Sequence, residues 1–206
     1  MITVHHLNDS RSQRILWLLE DIGQPYEIVQ HKRDAVTSLA PPELKAIHPL
    51  GKSPVIVDNS LVVAESGAII DYLAQTYAPH LARRPGDADY VSYSHWLHFA
   101  EGSAMLPFLL LLYVGRLGDA GAQLHPRIFS EIDNHLSYMN AALESRDFFL
   151  GPKITAVDYQ MSFVVEIAKP QGLLTKYPNL DAYLKRLQTI PGYQKALEKG
   201  GPYRFG

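Results

Sequence analysis

The first third of the chain carries short apolar runs broken by polar turns, and most of the remainder carries apolar residues at helical spacing. Residues 2–7 (Ile-Thr-Val-His-His-Leu) end at the polar loop Asn8-Asp9-Ser10-Arg11 and predict a strand. From Ser12, read as an N-cap, the set Ile15, Leu16, Leu18, Leu19 and Ile22 lines one helix face and stops at Gly23, a residue suited to the position just past a helix. Tyr26-Glu27-Ile28-Val29 predicts a second strand, which a crossover helix allows to run parallel to the first. Pro41-Pro42-Glu43 before Leu44 and Ile47 suggests a short second helix. Val55-Ile56-Val57 and Leu61-Val62-Val63 flank the turn Asp58-Asn59-Ser60 and predict a hairpin. A third helix follows over Ser66–Tyr77, with Ser66 at its N-cap.

Beyond residue 79 the pattern changes. Residues 80–86 are rich in Pro, Gly and Arg and read as a linker between a first domain, 1–79, and an all-helical second domain, 87–206. Residues 87–117 hold a long apolar helix in which Pro107 should force a kink or break, because proline has no N–H and crowds the preceding turn. Its most apolar part, 105–114, offers only ~10 residues where a membrane span needs ~20, so a buried helix is expected. Residues 126–145 form an amphipathic helix with Ile128, Ile132, Leu136, Met139 and Leu143 on one face. Thr155 with Asp158 three residues later predicts a capping box for the next helix, with Ile154 stapled to Tyr159. Pro178-Asn179-Leu180 and Ile190-Pro191 bracket a last helix pair.

Composition narrows the functional classes. With 206 residues, 47% hydrophobic and 19% charged, the chain has the makeup of a soluble globular protein. A net charge of −2 without a Lys/Arg cluster argues against nucleic acid or a membrane surface as partner. The opening MITVHHLNDS has no basic and apolar leader, so a cytoplasmic location is expected. The absence of cysteine removes disulfides, thiolate metal sites and a cysteine nucleophile, leaving any thiol chemistry to an external thiol. His5 and His6 are neighbours on a strand and point to opposite faces, and no other histidines have ligand spacing, so metal binding is not expected.

Two features sit within 48–72. Pro54 opens the β-branched run at Val55, where a residue without an N–H fits only a strand start, edge or bulge, and a cis Ser53-Pro54 bond is one conformation open to it. Glu65-Ser66 stands at a helix start, whose free N–H groups and positive dipole end suit a carboxylate. Pro54-Val55 followed by Glu65-Ser66, after a first strand and a Ser-bearing loop, resembles the glutathione-binding half of the cytosolic glutathione S-transferases, and the serine-type, bacterial-like members in particular. The element order β-α-β-α-β-β-α, followed by helices, matches that family's α/β thioredoxin-like N-terminal domain and all-α C-terminal domain. The Gly151-Pro152 turn and Thr155-Asp158 are similar to its helical-domain capping motif.

The resemblance implies glutathione as co-substrate. It assigns the cysteinyl part of glutathione to the backbone of Val55, the γ-glutamyl group to Glu65 and Ser66, and the glycyl carboxylate to Lys52. A free thiol with a pKa of about 8.5 must be made more acidic to react at neutral pH, and a shift of ~2 units needs about 2.7 kcal/mol. One hydroxyl bonded to the thiolate supplies roughly 1.5–3 kcal/mol, and a helix N-terminus adds up to about 1. No tyrosine precedes Tyr26, so Ser10, Ser12 and Asn8 are the donors in reach of the first loop. The family's spacing from active serine to arginine matches Ser10 and Arg14 and selects Ser10 as catalytic and sulfur-binding. Arg11 is a further ligand-facing candidate, and Glu101 is a candidate for reaching a partner subunit's glutathione. A small hydrophobic electrophile is expected in a pocket between the domains lined from Met105, Phe108, Leu109, Leu112 and Tyr113, of which at least half should be core. The resemblance also implies a homodimer through the 87–117 helix and the third helix. The expected function is a detoxifying glutathione transferase. Isomerase, dehalogenase or peroxidase chemistry, or a non-catalytic docking module, are the alternatives.

Overall fold

The computed structural model describes Met1–Gly206. It divides into two compact units, Met1–Arg83 together with Lys185–Gly206, and Arg84–Leu184.

The first unit opens with β1 (Ile2–Leu7), α1 (Gln13–Ile22), β2 (Tyr26–His31), the single turn α2 (Leu44–Ile47), β3 (Val55–Asp58), β4 (Leu61–Ala64) and α3 (Ser66–Tyr77). The strands form one mixed sheet in the order β2-β1-β3-β4. β1 runs parallel to β2, with Leu7 opposite His31. It runs antiparallel to β3, with His5 opposite Val55. As an interior strand, β1 buries every residue but Thr3, whereas edge strand β2 is exposed at alternate positions along much of its length. α1 is buried from Gln13 to Leu19 and ends at Gly23, whose φ of +66° is a left-handed conformation that glycine adopts without a Cβ penalty. The Gln24 N–H closes that end on the Leu19 carbonyl at 3.1 Å.

The second unit contains α4 (Tyr90–Phe99), a π-helical stretch (Ala100–Ala104), α5 (Met105–Gly115), α6 (His125–Ala142), α7 (Ala156–Ala168) and most of α8 (Pro178–Gln188). The break expected at Pro107 takes the form of that π stretch. Proline offers no N–H to the carbonyl four residues back, and the helix widens just ahead of it. From Tyr90 to Gly115 the 26-residue helix has the length and hydropathy of a membrane span, longer than the apolar stretch counted in the sequence. Tyr93, Trp96, Ala100, Ala104, Met105 and Phe108 along it are buried within the unit, where α4 and α5 pack on α7 and α6, but Leu106, Leu110, Leu112 and Tyr113 are exposed, so the expected buried helix is buried along one face only. The Thr155–Asp158 capping box forms as expected. The Thr155 N–H donates to Asp158 Oδ2 at 2.8 Å, and Asp158 Oδ1 accepts from Phe149 N–H at 3.1 Å and the Tyr183 hydroxyl at 3.2 Å.

α9 (Pro191–Gly200) returns to the first unit and packs along α1, the most extensive helix pair there. Glycines permit this approach. A Cβ on Gly200 would lie 2.4 Å from Gln13 Oε1, and one on Gly192 would lie 1.8 Å from Asp21 Oδ1. Residues 201–206 then run past the first loop.

Candidate functional site

The sheet register gathers chemistry at one end. β1 ends at Leu7 and leads into the Ser10 loop. Val55 begins β3 beside His5 and is itself opposite Ala64, the last residue of β4, which leads directly to Glu65 and Ser66. Ser10, Val55, Glu65 and Ser66 therefore lie on segments that meet at the same sheet end. Lys52 is exposed on the segment leading to Ser53, two residues before Pro54. The Ser53-Pro54 bond is cis, and the Ser53 hydroxyl donates to the His5 carbonyl at 3.0 Å.

The α3 start differs from expectation by one residue. Glu65 occupies the N-cap position with φ +68°, and Ser66 is the first helical residue. A left-handed glutamate costs about 1–3 kcal/mol and persists only where its surroundings hold it. Ser66, lying inside the helix, is not its cap, and its hydroxyl instead accepts a hydrogen bond from the buried Arg14 guanidinium, reaching across from α1. The exposed Glu65 carboxylate and the first-turn N–H groups of α3 thus stand side by side, suited respectively to an amine and a carboxylate.

Ser12 is at the N-cap position of α1, but its side chain makes no cap bond and turns into the core instead. There it belongs to a chain of hydrogen bonds whose direction can be read from its far end. The Gly200 carbonyl can only accept, so His6 Nε2, 3.1 Å away, carries the proton. Burial lowers the His6 pKa to about 4, so at neutral pH its Nδ1 is unprotonated and accepts from the Ser12 hydroxyl at 2.8 Å. Ser12 has then used its one proton, and its oxygen receives the Leu7 N–H at 3.2 Å. Ser10 Oγ, 2.8 Å from Ser12 Oγ, accepts the Ser12 N–H at 3.2 Å and keeps its own proton to give. His5 faces the other side of the sheet, with Nδ1 3.1 Å from His31 Nε2.

Two arginines hold the loop around Ser10. Arg33, just past β2, donates from Nε to the Asn8 carbonyl at 3.1 Å and from Nη2 to the Asp9 carbonyl at 3.2 Å, while its backbone N–H engages Asn8 Oδ1 at 3.1 Å. Burial lowers the Arg33 pKa, and the Asp9 carboxylate works against that shift. Arg204 forks onto the Asp9 carboxylate with its Nε at 3.0 Å and Nη2 at 2.9 Å. Asn8 is thus bound through its amide oxygen by Arg33. The sequence offered no local signal for His6, Arg33 or Arg204, whose partners lie far along the chain. For Arg14 the sequence carries only the spacing from Ser10.

Among the electrophile-pocket candidates, Met105 and Phe108 are core, Leu109 is half-buried, and Leu112 and Tyr113 are 52% and 58% exposed. Glu101 lies half-buried in the π stretch.

With this geometry in hand, known proteins supply the comparison. Residues 1–75 match the family model described as "Glutathione S-transferase, N-terminal domain", and residues 122–200 match "Glutathione S-transferase, C-terminal domain". The chain is 34% identical to Glutathione S-transferase 3 of Schizosaccharomyces pombe, covering 97% of this chain and 88% of that protein. It is 30% identical to Glutathione S-transferase 1 of Saccharomyces cerevisiae, over 97% and 95% of the two chains. A crystal structure of a glutathione S-transferase from Actinobacillus pleuropneumoniae superposes with a TM-score of 0.89 at 34% identity, covering 99% of this chain and 94% of the other.

Proposed function

Because this chain belongs to the glutathione S-transferase family and is a glutathione transferase with glutathione as co-substrate, we propose that Ser10 is the group that stabilises the glutathione thiolate, making this a serine-type member. On this reading Val55 pairs its backbone with the cysteinyl part, Glu65 holds the γ-glutamyl amine, Ser66 and the α3 N-terminus hold the γ-glutamyl carboxylate, and Lys52 meets the glycyl carboxylate. The bound thiol loses its proton to water, Ser10 donates a hydrogen bond to the sulfur, and the thiolate forms a C–S bond with the electrophilic carbon of a small hydrophobic substrate, as that carbon's bond to a leaving group breaks and the group departs with the electron pair as an anion.

The single observation carrying the assignment is the run of contacts from the Gly200 carbonyl through His6 and Ser12 to Ser10, from which the proton positions follow. It commits the Ser12 proton to His6 and leaves Ser10 as the loop hydroxyl with a proton to donate. Donation costs Ser10 little, since the Ser12 N–H already bonds its oxygen and the hydroxyl need only rotate from Ser12 toward the sulfur. Ser10 also stands just before α1, whose dipole favours negative charge there.

The test is spectrophotometric titration of the thiolate of enzyme-bound glutathione. Ser10→Ala should return the thiol to about 8.5 and lower kcat/KM by roughly 10- to 100-fold, the equivalent of one charge-assisted hydrogen bond. A Ser10→Ala enzyme with the parent's thiol pKa and turnover rules out Ser10 and transfers the role to Asn8 or Ser12. We further propose a cytoplasmic homodimer that pairs through the 87–117 helix, where Leu106, Leu112 and Tyr113 are exposed. Light scattering reads the oligomeric state, and a monomer defeats that part.

A further inference from the structure

The end of α9 and the segment after it reach the residues around Ser10 at two points in addition to helix packing. At one, the Gly200 carbonyl sets the His6 tautomer and through it the proton positions on Ser12 and Ser10. At the other, Arg204 binds Asp9, the residue before Ser10, through three donors: its backbone N–H to Oδ1 at 2.9 Å, and Nε and Nη2 to Oδ2 at 3.0 and 2.9 Å. Asp9 itself has φ +49°, in the left-handed region that most residues with a side chain avoid and that Asp tolerates at modest cost. Arg33 also binds it, donating to the Asp9 carbonyl at 3.2 Å. The loop is therefore gripped at the carbonyl by one arginine and at the carboxylate by another.

We propose that Arg204 is a positioning residue for the transferase reaction. By holding Asp9 in its left-handed conformation and neutralising its carboxylate, it aims Ser10 at the sulfur and keeps an uncompensated anion away from the thiolate. The inference rests on the Ser10 reading above. Two effects of losing Arg204 act in the same direction. With only the residue-204 N–H left on its carboxylate, Asp9 relaxes and Ser10 turns, weakening its hydrogen bond to the sulfur, and the unneutralised carboxylate disfavours a second negative charge nearby. Arg33 also faces the Asp9 charge, and Arg11 and Arg204 in turn act on Arg33.

Arg204 suits mutation because its side chain is 66% exposed, so its removal opens no cavity, whereas the Asp9 side chain is 14% exposed. In Arg204→Ala the thiol pKa of bound glutathione should rise by about half a unit to one unit, as expected for one partly screened charge. kcat/KM should fall about three- to tenfold, with an unchanged thermal midpoint. Arg204→Lys, which keeps the charge but not the fork, should recover part of the pKa shift. In an Asp9→Ala background, replacing Arg204 should have no further effect, because the partner through which it acts is gone. Arg204→Ala with the parent's thiol pKa, alongside a shifted Ser10→Ala, overturns this inference alone. Ser10→Ala with the parent's thiol pKa removes the Ser10 reading and this inference with it. A role confined to tethering the segment after α9 to the surface would leave the thiol pKa untouched.

Discussion

Asp158 offers a quantitative test of how the second unit is held together. Its carboxylate is buried and faces four donors: the Phe149 and Thr155 N–H groups and the Thr155 and Tyr183 hydroxyls. Burial outweighs those donors and pushes the Asp158 pKa up to about 6 from its ordinary 3.8. A folded-state pKa above the unfolded one means that the folded chain takes up a proton between about pH 4 and 6 that the unfolded chain does not. Asp158 therefore contributes stability in acid that is lost as pH rises through 6. Between pH 4.5 and pH 7 this linkage amounts to about 2 kcal/mol. The protonated form is accommodated because the Thr155 hydroxyl, 3.2 Å from Oδ2, can turn to accept. Asp158→Asn keeps the volume, cannot titrate, and leaves at least one buried donor unmet, at a cost of about 1–3 kcal/mol at pH 7. The gap between parent and variant should widen by about 2 kcal/mol at pH 4.5. Each unit holds one of the protein's two tryptophans, Trp17 in the first and Trp96 in the second, the latter with its ring centroid 4.6 Å from that of Phe149, whose N–H bonds Asp158. Urea unfolding followed by Trp96 fluorescence in a Trp17→Phe background reads the second unit. A gap that stays constant or narrows toward acid refutes the reasoning and means that the four donors keep the carboxylate charged.

The first unit should respond to acid in the opposite sense. His6 has a folded pKa lowered to about 4 against 6.5, so stability present above pH 6.5 is lost on acidification, by about 2 kcal/mol at pH 5; Trp17 fluorescence in a Trp96→Phe background reads it, and a flat profile between pH 7 and 5 contradicts the assignment. Gly200→Ala places a Cβ 2.4 Å from Gln13 Oε1 and 3.1 Å from Leu16 Cδ1, and should destabilise the first unit by about 1–3 kcal/mol in the same assay. Arg14→Met removes the donor to Ser66 and should raise the KM for glutathione roughly tenfold while changing kcat less, in steady-state kinetics with glutathione varied. An unchanged KM there means that Ser66 needs no orientation from α1.

Much of this protein follows from residues close together in sequence. The strand and helix order, Gly23 as the end of α1, the hairpin around Asp58-Asn59-Ser60 and the Thr155-Asp158 box are all local, because periodicity and capping act over a few residues, and the pattern they make with Pro54-Val55 and Glu65-Ser66 was enough to identify the family and its thioredoxin-like fold. Tertiary structure decided what depends on distant partners. Ser12 turned away from its cap because His6, six residues back, accepts its proton, and His6 is oriented by a carbonyl 194 residues further along the chain. Asp9 is bound by Arg204 at a separation of 195 residues. α9 joins the first unit because glycines at 192 and 200 let it approach α1, which no periodicity within either helix specifies. A local pattern states which face of an element is apolar, but the partner that covers it, and so which side chain receives which proton, is set only when the whole chain has closed on itself.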